Sequence, residues 1–293
     1  MMSRPIRHAA LSLFSPSRRA ALRRFYDSAT MPAPGARIAV NPTASGGLLT
    51  IEGGPSIAIP AECYADIQQH FATREAVAEL DRFMRHAGTP GVLFDVGANN
   101  GLFSVAYCLA HPLNRAVAFE PSPPLVERIH QMARLNGIEA RLEVVAKAVG
   151  EAAGELELQL ARRGGFVQVE SFAGTAHNEW ESVTIAATTL DLESAGGNRP
   201  TILKIDVEGY ESEVLRGAAL IIPLARPTIF LEVHLNYLEQ RGISPHDVTR
   251  PIAACGYRFT DLSGRGRSER SIAKSWASVI HVIGHPTAVP PPV

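Results

Sequence analysis

The chain has 293 residues, 46% of them hydrophobic, and its 28 basic and 29 acidic side chains leave a net charge of -1. That length and apolar content support one sizeable α/β domain with an N-terminal extension, and the near-neutral balance argues against wholesale binding to nucleic acid or to an anionic membrane. Cys63, Cys108 and Cys255 lie far apart with no Cys-x-x-Cys or His/Cys cluster, so buried thiols in a reducing cytosol are expected rather than zinc or disulfides; no apolar run reaches transmembrane length.

The first 26 residues are rich in Arg and Ser (Arg4, Arg7, Arg18, Arg19, Arg23, Arg24) with no acid before Asp27. That composition resembles an organelle transit peptide but reads more simply as a solvated basic tail. Residues 28–46, rich in Pro, Gly, Ala and Ser, read as a linker, so 1–46 forms a tail and linker. A second segment, 47–90, should hold a β-hairpin (48–51 and 56–59 around Glu52-Gly53-Gly54-Pro55) and a helix over 74–86 with Ala76, Val77, Leu80, Phe83 and Met84 on one face.

A core domain over 91–285 follows, ahead of a Pro-rich tail at 286–293. Its pattern predicts strand 92–97, helix 101–110, strand 116–120, helix 123–136 and strand 142–149. A β-rich excursion over 154–187 comes next, then strand 201–207, helix 210–222, strand 228–234 and helix 244–255. Runs at 257–262 and 276–283 read as a closing antiparallel pair. Near-continuous apolar strands joined by crossovers imply a mostly parallel sheet covered on both faces. The right-handed crossover rule then sets the ends of strands 92–97 and 201–207 side by side at the switch point, where ligands bind.

The first of those ends carries Asp95-Val96-Gly97-Ala98-Asn99-Asn100-Gly101. A buried strand, a tight glycine turn and a helix start together make a nucleoside cradle. The G-x-G-x-x-G of a dinucleotide fold is missing, which counts against a dehydrogenase. An acid ahead of the turn would repel a pyrophosphate but suits the ammonium and sulfonium of S-adenosylmethionine (SAM). Gly97, Ala98, Asn99, Gly101 and Ser104 are the turn and helix-start candidates, with Asp95 facing the ammonium or merely capping the turn. Glu120, about twenty residues on, is placed to accept from ribose hydroxyls. Pro121 and Ser122 follow it, the latter also readable as a helix cap, and Lys147 and Ala148 fall where adenine should lie.

A second constellation is Lys204-Ile205-Asp206-Val207-Glu208-Gly209. Alternation puts Lys204, Asp206 and Glu208 on one side of the strand, and Lys204 is expected to pair with an acid, because unpaired burial of charge is costly. Asp206 and Glu208, near the strand's carboxyl end, are candidates for chemistry. Glu232 and His234 share a face at the end of the next strand. Asp206 or His234 could take a proton from an attacking hydroxyl. A variant in which Asp206, Glu208, Glu232 and His234 hold magnesium or calcium ranks below the metal-free mechanism. Arg162, Arg163, Phe166 and Trp180 in the excursion read as acceptor-pocket residues or as a solvated β-segment, and Arg265 and Arg267 as a solvated turn.

Several pieces in order resemble the FkbM family of SAM-dependent methyltransferases: 95–104, Phe119-Glu120-Pro121-Ser122, Thr189-Leu190-Asp191, Lys204 through Glu211, Val214-Leu215-Arg216-Gly217-Ala218, and Leu231-Glu232-Val233-His234. The likeness runs over about 90–262, while 161–181 matches nothing in it. It implies a Rossmann-like, seven-stranded, mostly parallel sheet of the class I methyltransferase type with SAM as donor. It also implies a hydroxyl acceptor on a sugar, polyketide or other small metabolite. The expectation is therefore a cytoplasmic O-methyltransferase with Asp206, Glu208 and His234 around the acceptor, no resident metal and no nucleic-acid partner. An N-methyltransferase, a metal-assisted O-methyltransferase and a non-catalytic SAM-fold binding module are the alternatives.

Overall fold

A computed structural model describes residues 37–161, 167–169, 180–275 and 277–288. The first elements are β1 (Ile38–Thr43), β2 (Gly46–Ile51) and β3 (Ser56–Pro60), a three-stranded antiparallel sheet in that order. The expected linker thus contains a strand. Its signal is faint because only Ile38 and Val40 are half-buried, and its proline, Pro42, is tolerated because β1 is an edge.

Two helices follow, α1 (Ala61–His70) and α2 (Arg74–Ala87). Helix α1 buries only Cys63 and Ile67, too few apolar positions for its period to show in the sequence. Helix α2 starts at Thr73, whose hydroxyl accepts from the Ala76 amide, and it buries Ala76, Leu80 and Phe83 as foreseen. It also buries Glu79.

The alternating region comprises β4 (Val92–Val96), α3 (Leu102–Ala110), β5 (Arg115–Phe119), α4 (Pro123–Leu135) and β6 (Leu142–Val145). Next come β7 (Ala148–Val149), β8 (Gly154–Ala161), β9 (Val167–Val169), β10 (Trp180–Thr188) and α5 (Leu190–Ser194). The chain continues through β11 (Ile202–Ile205), α6 (Glu211–Arg216), α7 (Ile221–Ala225), β12 (Thr228–His234), α8 (Leu235–Gln240) and α9 (Pro245–Ala254). It closes with β13 (Tyr257–Thr260), β14 (Gly266–Arg267), α10 (Glu269–Ala273) and β15 (Val279–Pro286).

The main sheet runs β14-β13-β15-β12-β11-β4-β5-β6. Setting aside the two-residue β14, its seven strands are the expected Rossmann-like sheet. Five are parallel, and β15 inserts antiparallel between β12 and β13. Strand order reverses between β4 and β11, which are direct neighbours, Lys204 standing opposite Asp95 and Ile205 opposite Val96. Among the described residues no helix is long and apolar enough to cross a membrane.

Two expected elements divide, and a third shifts. The run at 142–149 splits because Lys147 turns its amide back to the Val145 carbonyl; β6 stays in the main sheet and β7 joins a second one, ordered β7-β10-β8-β9. The helix at 210–222 splits at Gly217, where a Cβ would lie 2.0 Å from the Gly150 carbonyl oxygen. Its second half is capped from afar, the Asp191 carboxylate accepting from the amides of Leu220 and Ile221. The closing run begins later than expected and extends into Pro286. The N-terminal sheet and helices share one core with the main sheet: Ile57, Ile67, Leu80 and Phe83 pack with Leu93, Tyr107 and Phe230.

Candidate active site

Strand β4 delivers a turn in which glycine is obligatory. Gly97 has φ of +79°, and a Cβ there would fall 1.9 Å from the carbonyl oxygen of Asp206, so only a bare backbone lets the ends of β4 and β11 close up. We expect Gly97→Ala to abolish cofactor binding and to unfold at markedly lower denaturant, read by chemical denaturation with and without SAM; a variant of unchanged midpoint and affinity would refute this close approach. Gly101, at φ +78°, stands as the left-handed cap ahead of α3.

Asp95 is 1% exposed and accepts from the Ser104 hydroxyl at 2.7 Å. Burial pushes its carboxyl up, against the opposing pull of Lys204. Glu120 is also buried, and both its oxygens accept backbone amides, that of Asn99 at Oε2 and that of Ser122 at Oε1, each at 2.9 Å. Burial outweighs these bonds and raises it to about 7. Ser122 precedes α4, but its buried hydroxyl has no hydrogen-bond partner among the described residues. Pro123 and Pro124 leave the first helical positions without amides to cap.

A cavity open to solvent lies beside these groups at the switch point. Of the residues singled out in the sequence, Gly97, Asn99, Glu120, Pro121, Lys147, Ala148, Asp206 and Glu208 line it. Asp95, Ala98, Gly101, Ser104 and Ser122 do not; they build the turn beneath or beside it. Val149, Leu156 and Tyr210 are among the other residues that line it; pattern gave no sign of Leu156, which arrives from the second sheet. Lys147 reaches out to Glu193 at 3.3 Å. Asn99 and Glu208 hold left-handed backbone, with φ of +53° and +48°, conformations that non-glycine residues adopt chiefly where function or a tight turn demands them. The donor set fits a nucleoside: an acid at a strand end, an apolar slot and a glycine at the turn that lets a ligand approach the backbone closely.

The other side of Asp206 faces a denser group of charges. Lys204, 4% exposed, points its ammonium at Asp206 (3.2 Å) and Glu79 (3.9 Å) and lies over the Phe103 ring, the acid pairing expected for it. Burial opposes ionisation of Asp206, but the Lys204 ammonium and then His234 outweigh it and hold the carboxyl at about 2. The chain leaves β11 after Ile205, so Glu208 sits in the following turn and escapes the strand's alternation. His234, at the end of β12, is hydrogen-bonded through Nδ1 to Glu211 at 2.7 Å. Its Nε2 lies 3.6 Å from Glu232 and 3.9 Å from Asp206. Burial disfavours its cation, yet the Glu211 bond and the charge of Glu232 lift it to about 9. Burial and the repulsion of Asp206 raise Glu232 to about 8. On the far side His281 meets Glu75 at 3.2 Å and Glu79 at 3.7 Å; burial opposes its charge, but these acids and Glu232 hold it protonated well above the usual imidazole range.

Sequence reasoning assigned no role to Glu75, Glu79, Glu211 or His281. An acid inside a helix or a histidine inside a strand carries no local mark of its tertiary partners. Donor atoms of Asp206, Glu232 and His234 lie within 4.8 Å of one another, as do those of Glu79, Glu232 and His281. The Lys204 ammonium stands against both groups and already supplies positive charge there. Arg162, Arg163 and Phe166 lie outside the described residues.

The Methyltransferase FkbM domain family matches residues 95–259, from the acid of the first turn to β13 and more than half of the chain. The chain belongs to the FkbM methyltransferase family. A hexuronic acid methyltransferase of Haloferax volcanii, AglP, is 27% identical over 177 residues, 58% of this chain and 64% of that protein. The methyltransferase sdnD of Sordaria araneosa is 26% identical over 153 residues, 43% of this chain and 59% of that protein. The chain thus spans less than two thirds of either relative. A solved FkbM methyltransferase from Methylobacillus flagellatus superposes with a TM-score of 0.45 at 16% identity, covering 67% of this chain and 44% of that one. As an FkbM protein the chain takes SAM as its cofactor.

Proposed function

We propose that this FkbM protein transfers the methyl group of SAM to a hydroxyl of a small-molecule or glycan acceptor, with Asp206 or His234 taking the proton. One observation carries this: Asp206 lines the cofactor cavity and, through Oδ1, also faces Nε2 of His234. A proton acceptor and the methyl source therefore adjoin one wall. In this reading Gly97, Asn99, Glu120, Pro121, Lys147 and Ala148 hold the cofactor, with Asp95, Ala98, Gly101, Ser104 and Ser122 shaping the turns that present them. When bound, SAM supplies a methyl group on a positively charged sulfur. The chain supplies alignment and proton removal. Asp206, ionised from about pH 2 upward, is open to a proton throughout the neutral range, whereas His234, lifted to about 9, becomes a base only above that. Glu208 stands beside Asp206 in the same wall.

A sugar acceptor is the first class to try, because AglP is named for a hexuronic acid. A cytoplasmic setting is part of the reading, supported by Cys63, Cys108 and Cys255, all free thiols. The near-neutral charge supports an acceptor other than nucleic acid.

The test is transfer of radiolabelled methyl from SAM to a panel of hexosides, uronosides and polyketide alcohols, with matched amines. His234→Gln is expected to lower kcat about 100-fold or more with SAM affinity kept within a few-fold. A rate that climbs to a plateau near pH 9 assigns the base to His234, and one flat across neutral pH assigns it to Asp206. Transfer to amines alone would replace the reading with N-methylation.

A further inference from the structure

The His234 ring is gripped on its far side by a residue outside the cavity. Glu211 opens α6 and is 0% exposed. Its Oε1 accepts the Gly209 amide at 2.9 Å and is hydrogen-bonded to Nδ1 of His234 at 2.7 Å, while Oε2 is buried with no partner among the described residues. The Tyr237 ring stacks on the imidazole, centroids 5.7 Å apart and planes inclined by 21°, which hinders rotation. The other ring nitrogen is thereby turned toward the gap between Glu232, on its own strand, and Asp206, at the end of β11. Those two acids and Glu211 are the charged groups that face the ring.

We propose that Glu211 is the positioning residue of the acceptor side: it fixes the Nδ1–H form of His234 and aims Nε2 at the Asp206–Glu232 gap, where the acceptor hydroxyl is to lose its proton. A buried carboxylate behind a histidine does this in many sites, setting the tautomer and raising the basicity of the far nitrogen. A purely structural role has a different signature. The same oxygen, Oε1, receives both bonds, so a glutamine can keep the turn and the contact to the ring through that oxygen while losing the charge. Structure then survives and proton control does not. Glu213, on the same helix, takes no part; it is paired with Arg241 at 2.7 Å.

The proposal rests on the O-methyl-transfer reading for its function, but its first test needs no acceptor. Side-chain nitrogen NMR of the ligand-free full chain should show His234 titrating near pH 9 in the wild type. The midpoint should fall by about one unit or more in Glu211→Gln. Above the midpoint the wild type should hold the proton on Nδ1, and Glu211→Ala should mix the tautomers. With an acceptor found by the radiolabel screen, Glu211→Gln should lower the kcat of the alkaline plateau about 10-fold or more, leave SAM affinity unmoved and shift the pH profile with the NMR midpoint; Glu211→Asp should restore part of the loss. An unmoved midpoint in Glu211→Gln, or one tautomer retained in Glu211→Ala, overturns the proposal. Loss of the titration control together with an unaltered kcat overturns it as well. Absence of methyl transfer to any hydroxyl, with the NMR behaviour as stated, sinks the functional reading instead.

Discussion

Lys204→Met is expected to destabilise the fold by about 3–5 kcal/mol, the usual consequence of stripping one partner from a buried ion pair, and to lower the melting temperature by roughly 5–15 °C. Methionine fills a similar volume, so lost packing contributes little. The loss arises because Asp206 and Glu79 keep their charges with no ammonium between them. The pH dependence carries the diagnostic sign. In the wild type Lys204 is held above its ordinary value, so its contribution is present through the neutral range and lost only at strongly alkaline pH. Asp206 is held down at about 2, so its contribution is full above about 4 and disappears as pH falls toward 2. In the variant the same carboxylates are buried without a counter-charge, which raises their pKa values, so stability should climb as pH drops from 7 toward 5. Calorimetric melting across that range decides it. Equal melting curves, or a variant that gains no more than the wild type as pH drops across that range, would show that Lys204 does not neutralise this cluster.

That cluster marks where the sequence stopped being legible. Strand β12 could be bounded from its residues because Pro227 and His234 bracket a largely apolar run, and β4 because an acid and two glycines punctuate its end. The antiparallel return of β15 followed from two late β-rich runs with no crossover between them. Strand β1 could not be seen: it lies in a stretch rich in Pro, Gly, Ala and Ser, and pairing with β2 supplies what local propensity does not. The break between α6 and α7 depends on Gly150 and Asp191, contacts more than twenty residues away. The same holds for the site. Glu120 and Asp206 announce themselves by ending strands at the switch point, but Glu79 sits in the middle of an amphipathic helix, where an acid ordinarily reads as solvated. Only the packing of α2 against the sheet turns it toward Lys204 and His281. The N-terminal segment, outside the family match, supplies two carboxylates, Glu75 and Glu79, to the far side of Glu232's neighbourhood.

Glu120→Gln is expected to weaken SAM binding about 30-fold or more. A carboxylate there accepts two backbone amides, one on each oxygen, and can still accept from a ribose hydroxyl. Glutamine presents one oxygen and one NH2 group, so one of the amides of Asn99 and Ser122 must face a donor in a buried position. An unmet buried donor costs about 1–3 kcal/mol, and the hydrogen bonds to the missing charge would have contributed a similar amount. Acidification of the wild type should reproduce part of this loss. Glu120 stands at about 7 because burial disfavours its charge, and the ionised form is the one that accepts hydroxyl protons. Cofactor affinity is therefore full above about pH 8, falls through pH 7 and should approach tenfold per unit below about pH 6, whereas Glu120→Gln should be flat over the same interval. Calorimetric titration of SAM from pH 5.5 to 8.5 measures both curves. Parallel pH dependence in the two proteins would move the titrating group elsewhere in the cavity, and an unweakened Glu120→Gln would remove Glu120 from the cofactor's contacts.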